Sequence, residues 1–235
     1  MTQSLKIWSK FSTTKESGTL NFQIVEAPKD RIEDVAELIV NHFMTGEAIS
    51  KAAGISKSDE SIAEYKQLLL ELLQDKDKHI VICCLDNDNG TVGEIIGASL
   101  MRLITKDKPE ELKVQLKSKE LQKLVDILKG LEEMYDMISE QGVEKFYDDR
   151  GVVVHPNYRR CGICYELVKT RRLICQKLGV PLTAALMTAY ATQKAAERDG
   201  WETVFEYNFE EIGKLFNVTF DKNDPPIAKL MVARA

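Results

Sequence analysis

A basic, glycine-containing turn that follows an apolar strand is the segment of this sequence with the clearest chemical potential. Its residues are Val152, Val153, Val154, His155, Pro156, Asn157, Tyr158, Arg159, Arg160, Cys161, Gly162, Ile163 and Cys164. Pro156 ends the apolar run, and a helix is predicted from Gly162 onward. Such a turn directs several backbone N–H groups toward one point, and the helix N-terminus adds partial positive charge. Together with Arg159 and Arg160, it predicts a site for a phosphate or pyrophosphate group.

The same turn leaves a redox interpretation open. Cys161 and Cys164 form Cys-x-x-Cys at a predicted helix N-terminus, the thioredoxin arrangement in which the helix lowers a thiol pKa. The preceding arginines fit phosphate better than a redox partner. A zinc site would need a second ligand pair, which the sequence does not offer, so no metal is expected. Neither the P-loop pattern nor the Gly-x-Gly-x-x-Gly dinucleotide pattern is present.

The strand, turn and helix together resemble the acetyl-CoA signature of the GNAT N-acetyltransferase superfamily. The family pattern Arg/Gln-x-x-Gly-x-Gly/Ala is matched by Arg159 and Gly162, with Cys164 in place of the final small residue. The resemblance covers most of the chain from about Phe22. It implies an α+β fold, a three-layer α/β sandwich with a mixed, mostly antiparallel twisted sheet flanked by helices. It also implies acetyl-CoA as cosubstrate, with its pyrophosphate on the amides of Arg159, Arg160, Cys161, Gly162, Ile163 and Cys164 and its pantetheine arm along Val152, Val153 and Val154.

Two further segments resemble the insect-type arylalkylamine N-acetyltransferases more closely. That family has Phe-x-x-x-Glu after the first helix, matched by Phe43 and Glu47, although its usual Asp-Glu-Pro is here Gly-Glu-Ala. Its Ser-x-x-x-Ser before a Gly-aromatic turn corresponds to Thr188 and Thr192. Many GNAT enzymes use a tyrosine near this turn as the general acid that protonates the departing thiolate, and Ala196 stands at that position here. The resemblance implies that Glu47 is the general base, with Thr188 and Thr192 relaying protons or ordering it. Thr192 would also be a suitable N-cap for the predicted helix 192–198.

The implied reaction is acetyl transfer from acetyl-CoA to a small arylalkylamine of the dopamine, tyramine, octopamine, serotonin or tryptamine type. An alkylamine is cationic at neutral pH, so a buried carboxylate with a raised pKa would first remove a proton. The neutral amine would then attack the thioester directly in a ternary complex. An aliphatic amine or polyamine acceptor is an alternative, as are a thiol-redox protein and a non-catalytic acyl-CoA-binding protein.

Composition excludes several other classes. The chain has 235 residues, 44% of them hydrophobic, which is enough for a packed core and argues against disorder. A formal charge of −5 argues against broad nucleic-acid binding. The apolar runs are too short to span a membrane, and the first residues do not resemble a secretory signal. Five cysteines, an odd number, indicate reduced thiols and a cytoplasmic protein, expected to be a monomer.

The candidate site residues must be positioned by a scaffold of alternating strands and helices. We predict that this scaffold is a single domain over residues 1–235. Strands are predicted at 22–27, 79–86, 94–104, 147–155, 181–188, 201–207 and 228–233, with a hairpin turn at 86–90. Helices are predicted at 32–44, 59–74, 162–178 (capped by Gly179) and 192–198. The charged stretch 106–142 is predicted to be a helical insertion with one long amphipathic helix packed on the sheet. The acceptor pocket is expected between the 43–54 loop, the second helix and this insertion.

Overall fold

An eight-stranded sheet organises the chain in the computed structural model, which describes residues 5–16, 18–87, 90–108 and 115–235. The strands are β1 (Ile7–Lys15), β2 (Gly18–Glu26), β3 (Lys78–Leu85), β4 (Ile95–Thr105), β5 (Lys145–Val154), β6 (Leu182–Met187), β7 (Glu202–Asn208) and β8 (Ile227–Arg234). Their spatial order is β1-β2-β3-β4-β5-β6-β8-β7. Every neighbouring pair is antiparallel except β5 and β6, which are parallel. The predicted mixed, mostly antiparallel sheet is confirmed.

Helices cover both faces of this sheet. They are α1 (Ile32–Ile39), α2 (Ala48–Ala53), α3 (Asp59–Leu73), α4 (Lys119–Glu133), α5 (Met137–Gln141), α6 (Ile163–Leu178), α7 (Tyr190–Arg198) and α8 (Phe209–Phe216). In β3, Ile80 and Ile82 pack with the α1–α4 side, while Val81 and Cys83 pack with α6 on the other. Because both faces are covered, β3 is apolar throughout instead of alternating.

Helix α6 reaches the sheet closely because β4 carries a glycine beneath it. A Cβ on Gly97 would lie 3.0 Å from Ile163 Cγ2 and 3.2 Å from the Val153 carbonyl oxygen. A larger side chain would therefore lift the start of α6 away from β4 and β5. Gly97 thus sets the distance between the helix N-terminus and the strand end, the two parts of the turn described above.

The stretch 106–142 differs from the single long helix predicted for it. Two helices, α4 and α5, form instead, because the Asp136 carboxylate accepts hydrogen bonds from Ile138 and Ser139 N–H and so starts a new helix. Helix α4 packs on α2 and α3 and also contacts the sheet, where the Tyr207 hydroxyl of β7 donates to the Leu131 carbonyl oxygen at 2.9 Å. Residues 109–114 of this stretch, and 88–89 of the predicted hairpin turn, lie outside the described residues.

Three elements escaped the sequence analysis. Strand β1 is an edge strand whose apolar and polar residues are mixed, and α2 and α8 are too short to show a helical period. The helix predicted at 32–44 is confirmed in extent, but only Ile32–Ile39 is α-helical and its last part, Val40–Met44, is a π-helical turn. Within the described ranges, none of the helices has the length and hydropathy that crossing a bilayer demands.

Candidate functional site

The parallel strands β5 and β6 separate soon after they meet. They share one described pair, Tyr147 with Thr183, and Val152 lies five residues beyond it on β5. On its other side β5 stays bonded to β4, with Val152 opposite Ser99. Toward β6, the last three valines of β5 pair with no strand in the described ranges. The result is a cleft in the sheet with an unpaired backbone edge along one wall.

This edge leads directly into the start of α6. After the turn Pro156–Tyr158, Arg160 has φ +63° and Gly162 has φ +81°, two left-handed residues on either side of Cys161. Gly162 is the N-cap of α6 and provides no side-chain cap. The N–H groups of residues 161–164 therefore have no hydrogen-bond acceptor in the part of the chain that the structure describes. Free amides at a helix N-terminus beside two arginines are the features that an anion site requires, and we use the term anion site for this group of residues.

Strand β1 holds this turn in place from outside the motif. The Thr13 hydroxyl donates a 2.7 Å hydrogen bond to the Cys161 carbonyl oxygen. The Ser9 hydroxyl donates to the Glu166 carboxylate of α6 at 3.1 Å. Sequence analysis missed both contacts because β1 is far from the turn along the chain, and only the sheet order brings it near α6.

Replacing Thr13 with valine should weaken the binding of coenzyme A about threefold to tenfold, because the loss of one hydrogen bond of about 1 kcal/mol lets the turn relax. The shape of the side chain is retained, so the fold should be kept. Thr14→Val is the matched control, since the Thr14 hydroxyl contacts Thr19 on an exposed surface. Titration calorimetry with coenzyme A measures both variants, and an equal effect of the two would contradict a role for Thr13 in holding the turn.

Glu47 is the N-cap of the short helix α2. Its two carboxylate oxygens accept hydrogen bonds from the N–H groups of Ile49 at 3.0 Å and Ser50 at 2.7 Å. The side chain is half-buried, not enclosed as a buried base would be. Tyr65 of α3 lies close enough that the Glu47 carboxylate, after burial, raises the pKa of its phenol. Glu47 is therefore held in one orientation by the helix that it starts.

The segment before Glu47 packs on the end of β5. The Phe43 ring lies over Gly151, 3.4 Å from where a Cβ would be, and the ring centroids of His42 and His155 are 4.6 Å apart. Burial, then His155 and then Arg159, lowers the pKa of His42. These contacts place the Glu47 segment beside the strand end and the anion site. No sequence signal links the two histidines, which lie on different elements.

Thr188 and Thr192 are at the far side of the cleft. Thr188 follows β6 directly and lies five residues beyond the shared pair, as Val152 does on β5. Thr192 does not cap α7 as predicted: Ala189 is the N-cap, and the Thr192 hydroxyl donates to the Ala189 carbonyl oxygen at 2.9 Å. Among the described residues, no hydrogen bond joins either threonine to Glu47.

Gln193 is a residue on this side that sequence analysis did not find. It is buried, and its amide donates to the carbonyl oxygens of Met187 at 3.0 Å and Ile227 at 2.8 Å. These bonds tie the end of β6 to the start of β8 and hold the Thr188 segment. A lone glutamine in an amphipathic helix carries no pattern that would predict this contact.

The cysteines do not have the properties of a redox pair. Burial raises the pKa of the Cys164 thiol to about 11, whereas a reactive Cys-x-x-Cys thiol needs a lowered pKa. Cys161 is buried, and all five cysteines are free. In the described ranges, no three His, Cys, Asp or Glu side chains are grouped so that they could hold a metal ion. The geometry favours the anion site over the redox interpretation.

An open groove of about 390 Å³ lies at the opposite end of α2 from Glu47. Its charged side chains are mainly cationic, with Lys51, Lys57 and Lys123 against Glu120. Lys51 pairs with Asp224 at 2.8 Å, and Glu120 accepts from Ser61 at 2.8 Å. A groove lined by lysines disfavours the binding of a cationic amine. Its charge therefore does not suit the predicted acceptor pocket.

Several solved structures share this architecture. A protein described as arylalkylamine N-acetyltransferase 7 of the yellow fever mosquito, Aedes aegypti, superposes with a TM-score of 0.85 at 21% identity over 99% of this chain and 96% of its own. Arylalkylamine N-acetyltransferase 2 of Aedes aegypti gives 0.74 at 17% identity, over 91% and 98%. A Drosophila melanogaster polyamine N-acetyltransferase gives 0.70 at 12%, over 91% and 100%. No protein-family model and no curated protein matches the sequence. The chain has the N-acetyltransferase fold that its resemblance implied.

Proposed function

We propose that this protein is an N-acetyltransferase that transfers the acetyl group of acetyl-CoA to the primary amine of a small arylalkylamine. One observation carries the proposal: among the described residues, the end of β5 has no strand partner toward β6, and it leads into an α6 N-terminus whose amides have no acceptor and which lies beside two arginines. A ligand that fits both must join an extended amide-containing arm to a pyrophosphate. Coenzyme A has this composition, and the neighbouring structures described as N-acetyltransferases support the assignment.

In this proposal the cosubstrate lies along the cleft. The amides of Arg159, Arg160, Cys161, Gly162, Ile163 and Cys164 hold its pyrophosphate, and the arginine side chains add charge. Val152, Val153 and Val154 hydrogen-bond the pantetheine arm as a further strand would. The thioester then lies near the point where β5 leaves β6, and Glu47 is brought to the same strand end by the packing of Phe43 on Gly151.

Glu47 accepts a proton from the ammonium group of the bound amine, directly or through water. The amine nitrogen then attacks the thioester carbonyl carbon, forming the C–N bond, and backbone N–H groups of β5 stabilise the oxyanion. The C–S bond breaks as the nitrogen loses its second proton, which passes to the departing thiolate directly or through water, Thr188 or Thr192. Ala196 supplies no acidic side chain at the position where many GNAT enzymes have a tyrosine.

The proposed acceptor is an arylalkylamine because Phe43 and Tyr65 lie near Glu47 and offer aromatic surface next to the base. An aliphatic amine or polyamine is the second candidate, since the Drosophila polyamine N-acetyltransferase superposes on this chain with a TM-score of 0.70, close to the 0.74 of mosquito arylalkylamine N-acetyltransferase 2. We place the activity in the cytoplasm, in keeping with five free cysteines.

A thiol-release assay with acetyl-CoA tests the proposal. We expect turnover with dopamine, tyramine, octopamine, serotonin or tryptamine at kcat/KM at least about tenfold above that for agmatine, putrescine and spermidine. The reverse preference would assign the enzyme to the aliphatic amines. Tight binding of acetyl-CoA without turnover of any amine would instead indicate a non-catalytic acyl-CoA-binding protein. Insulin reduction that Cys161→Ser abolishes would favour the redox interpretation.

A further inference from the structure

Arg171 of α6 is a charged side chain with no exposed surface. Its Nε donates to the Ser99 hydroxyl at 2.8 Å, and its Nη2 donates to the carbonyl oxygens of Leu100 at 3.3 Å and Gly151 at 3.1 Å and to the Asp149 carboxylate. Every one of these acceptors lies on β4 or β5. The guanidinium therefore connects α6 to two neighbouring strands at one place.

That place is an irregularity in the sheet. The register between β4 and β5 shifts between Ser99 and Met101, where Leu100 alone lies opposite two residues of β5. Gly151 is one of those two and has φ +114°, a conformation that other residues rarely adopt. Such a β-bulge interrupts the ladder and leaves its extra residue unpaired. Arg171 donates to two carbonyl oxygens of buried residues at this bulge, those of Leu100 and Gly151.

The bulge also lies at the point where the cleft begins. On β5 it follows Tyr147, which pairs with β6, and it comes immediately before Val152. A bulge bends its strand and increases the local twist, and the described pairing of β5 with β6 ends before this one. Arg171 belongs to α6, the helix whose N-terminus forms the anion site. Its hydrogen bonds therefore connect the bulged part of β5 to that helix.

Stability alone is a weak reason for a buried arginine at this position. Desolvation of a charge is costly, and hydrophobic replacements of buried ion pairs are often neutral or stabilising. Here Asp149 is the single carboxylate bound to Arg171, and the Nη1 atom has no hydrogen-bond partner in the described ranges. The observed contacts are better explained by the shape that they impose on β4 and β5.

We propose that Arg171, with Ser99 and Asp149, is a positioning residue that holds the β5 bulge and so keeps the cleft open for the coenzyme arm. This inference rests on the proposed function. Arg171 touches neither substrate in this arrangement and acts through the backbone of β5. Its substitution should therefore affect the binding of coenzyme A more than the chemical step or the binding of the amine.

Arg171→Met keeps the length and apolar stem of the side chain and removes the guanidinium. We expect the Kd for coenzyme A, by titration calorimetry, and the KM for acetyl-CoA to rise about 10- to 100-fold, since small displacements of binding groups cost up to about 100-fold. The kcat at saturation and the KM for the amine should change much less. The matched control is Arg172→Met, because Arg172 is the next residue of α6, is partly exposed and pairs with Asp199 at 2.9 Å.

Ser99→Ala removes one hydrogen-bond acceptor of Arg171 and leaves the arginine in place. This variant tests the same proposal if Arg171→Met does not fold. It should raise the same Kd by a smaller factor. Amide hydrogen exchange tests the proposal without a ligand. The backbone amides of residues 145–154 should exchange faster in Arg171→Met and Ser99→Ala than in Arg172→Met. Folded variants with wild-type Kd and wild-type exchange would overturn the proposal. Wild-type protein that does not bind coenzyme A would contradict the proposed function, while the exchange result would still decide whether Arg171 holds the bulge.

Discussion

Glu47→Gln is expected to lower kcat/KM for the amine roughly 100- to 10,000-fold, the range that a positioned general base contributes. Glutamine keeps an oxygen that can accept one of the two N–H bonds at the start of α2, made by Ile49 and Ser50 in the native protein. The melting temperature should therefore fall only slightly, because a weakened cap costs about 1 kcal/mol or less. Residual activity should rise steeply with pH, since only amine molecules that are already neutral can react.

Glu47→Asp is the matched control for the base. Aspartate is a good N-cap and keeps the carboxylate, but its side chain is shorter by one methylene group. We expect normal stability with kcat/KM reduced by about tenfold or more, because the base is withdrawn from the amine. Steady-state kinetics over a range of pH and differential scanning fluorimetry measure both variants. If Glu47→Gln kept kcat/KM within about threefold of wild type, Glu47 would be a helix cap and nothing more.

Gly162→Val should weaken the binding of coenzyme A by about 100-fold or more, the equivalent of losing one or two charge-assisted hydrogen bonds. Gly162 has φ +81°, which a β-branched residue adopts only with strain, although no atom of the described residues lies within 4 Å of its Cβ position. The backbone must then rotate, and the amides of Cys161 to Cys164 no longer point to one place. Titration calorimetry with coenzyme A gives the change in Kd.

Gly179→Val separates this effect from loss of stability. Gly179 ends the same helix, with φ +62° and open space at its Cβ position. Both valine variants should lower the melting temperature by a similar amount, since each strains one left-handed residue by roughly 1–2 kcal/mol. Only Gly162→Val should affect coenzyme A. Equal losses of affinity in the two variants would show that α6 stability, and not the geometry of its first turn, governs binding.

Local signals explain what was predicted well. Pro156, Gly162 and Gly179 mark the ends of β5 and α6 because their backbone preferences act within a few residues. No parallel pair was predicted from the sequence, but strand, helix and strand in succession is the usual connection of parallel neighbours such as β5 and β6. The wrong prediction of a single helix in the 106–142 stretch also has a local cause. A capping contact ends the helix there, and a single capping residue is a weaker sequence signal than the apolar periodicity around it. Tyr135 and Ile138 continue the apolar spacing of α4, yet Asp136 ends that helix by capping the next one.

The sequence by itself determined most of the elements from β2 onward, the apolar β5 end and the turn at Arg159 to Cys164, because each depends on residues adjacent in the chain. Only the tertiary structure decided what supports them. Thr13 reaches the turn from an edge strand, and His42 meets His155. Arg171 crosses from α6 to a bulge shared by two strands. Such contacts depend on sheet order, on helix position and on the register shift between β4 and β5. No pattern of residue spacing in the sequence predicts these contacts, because they form only when the whole sheet and its helices have packed together.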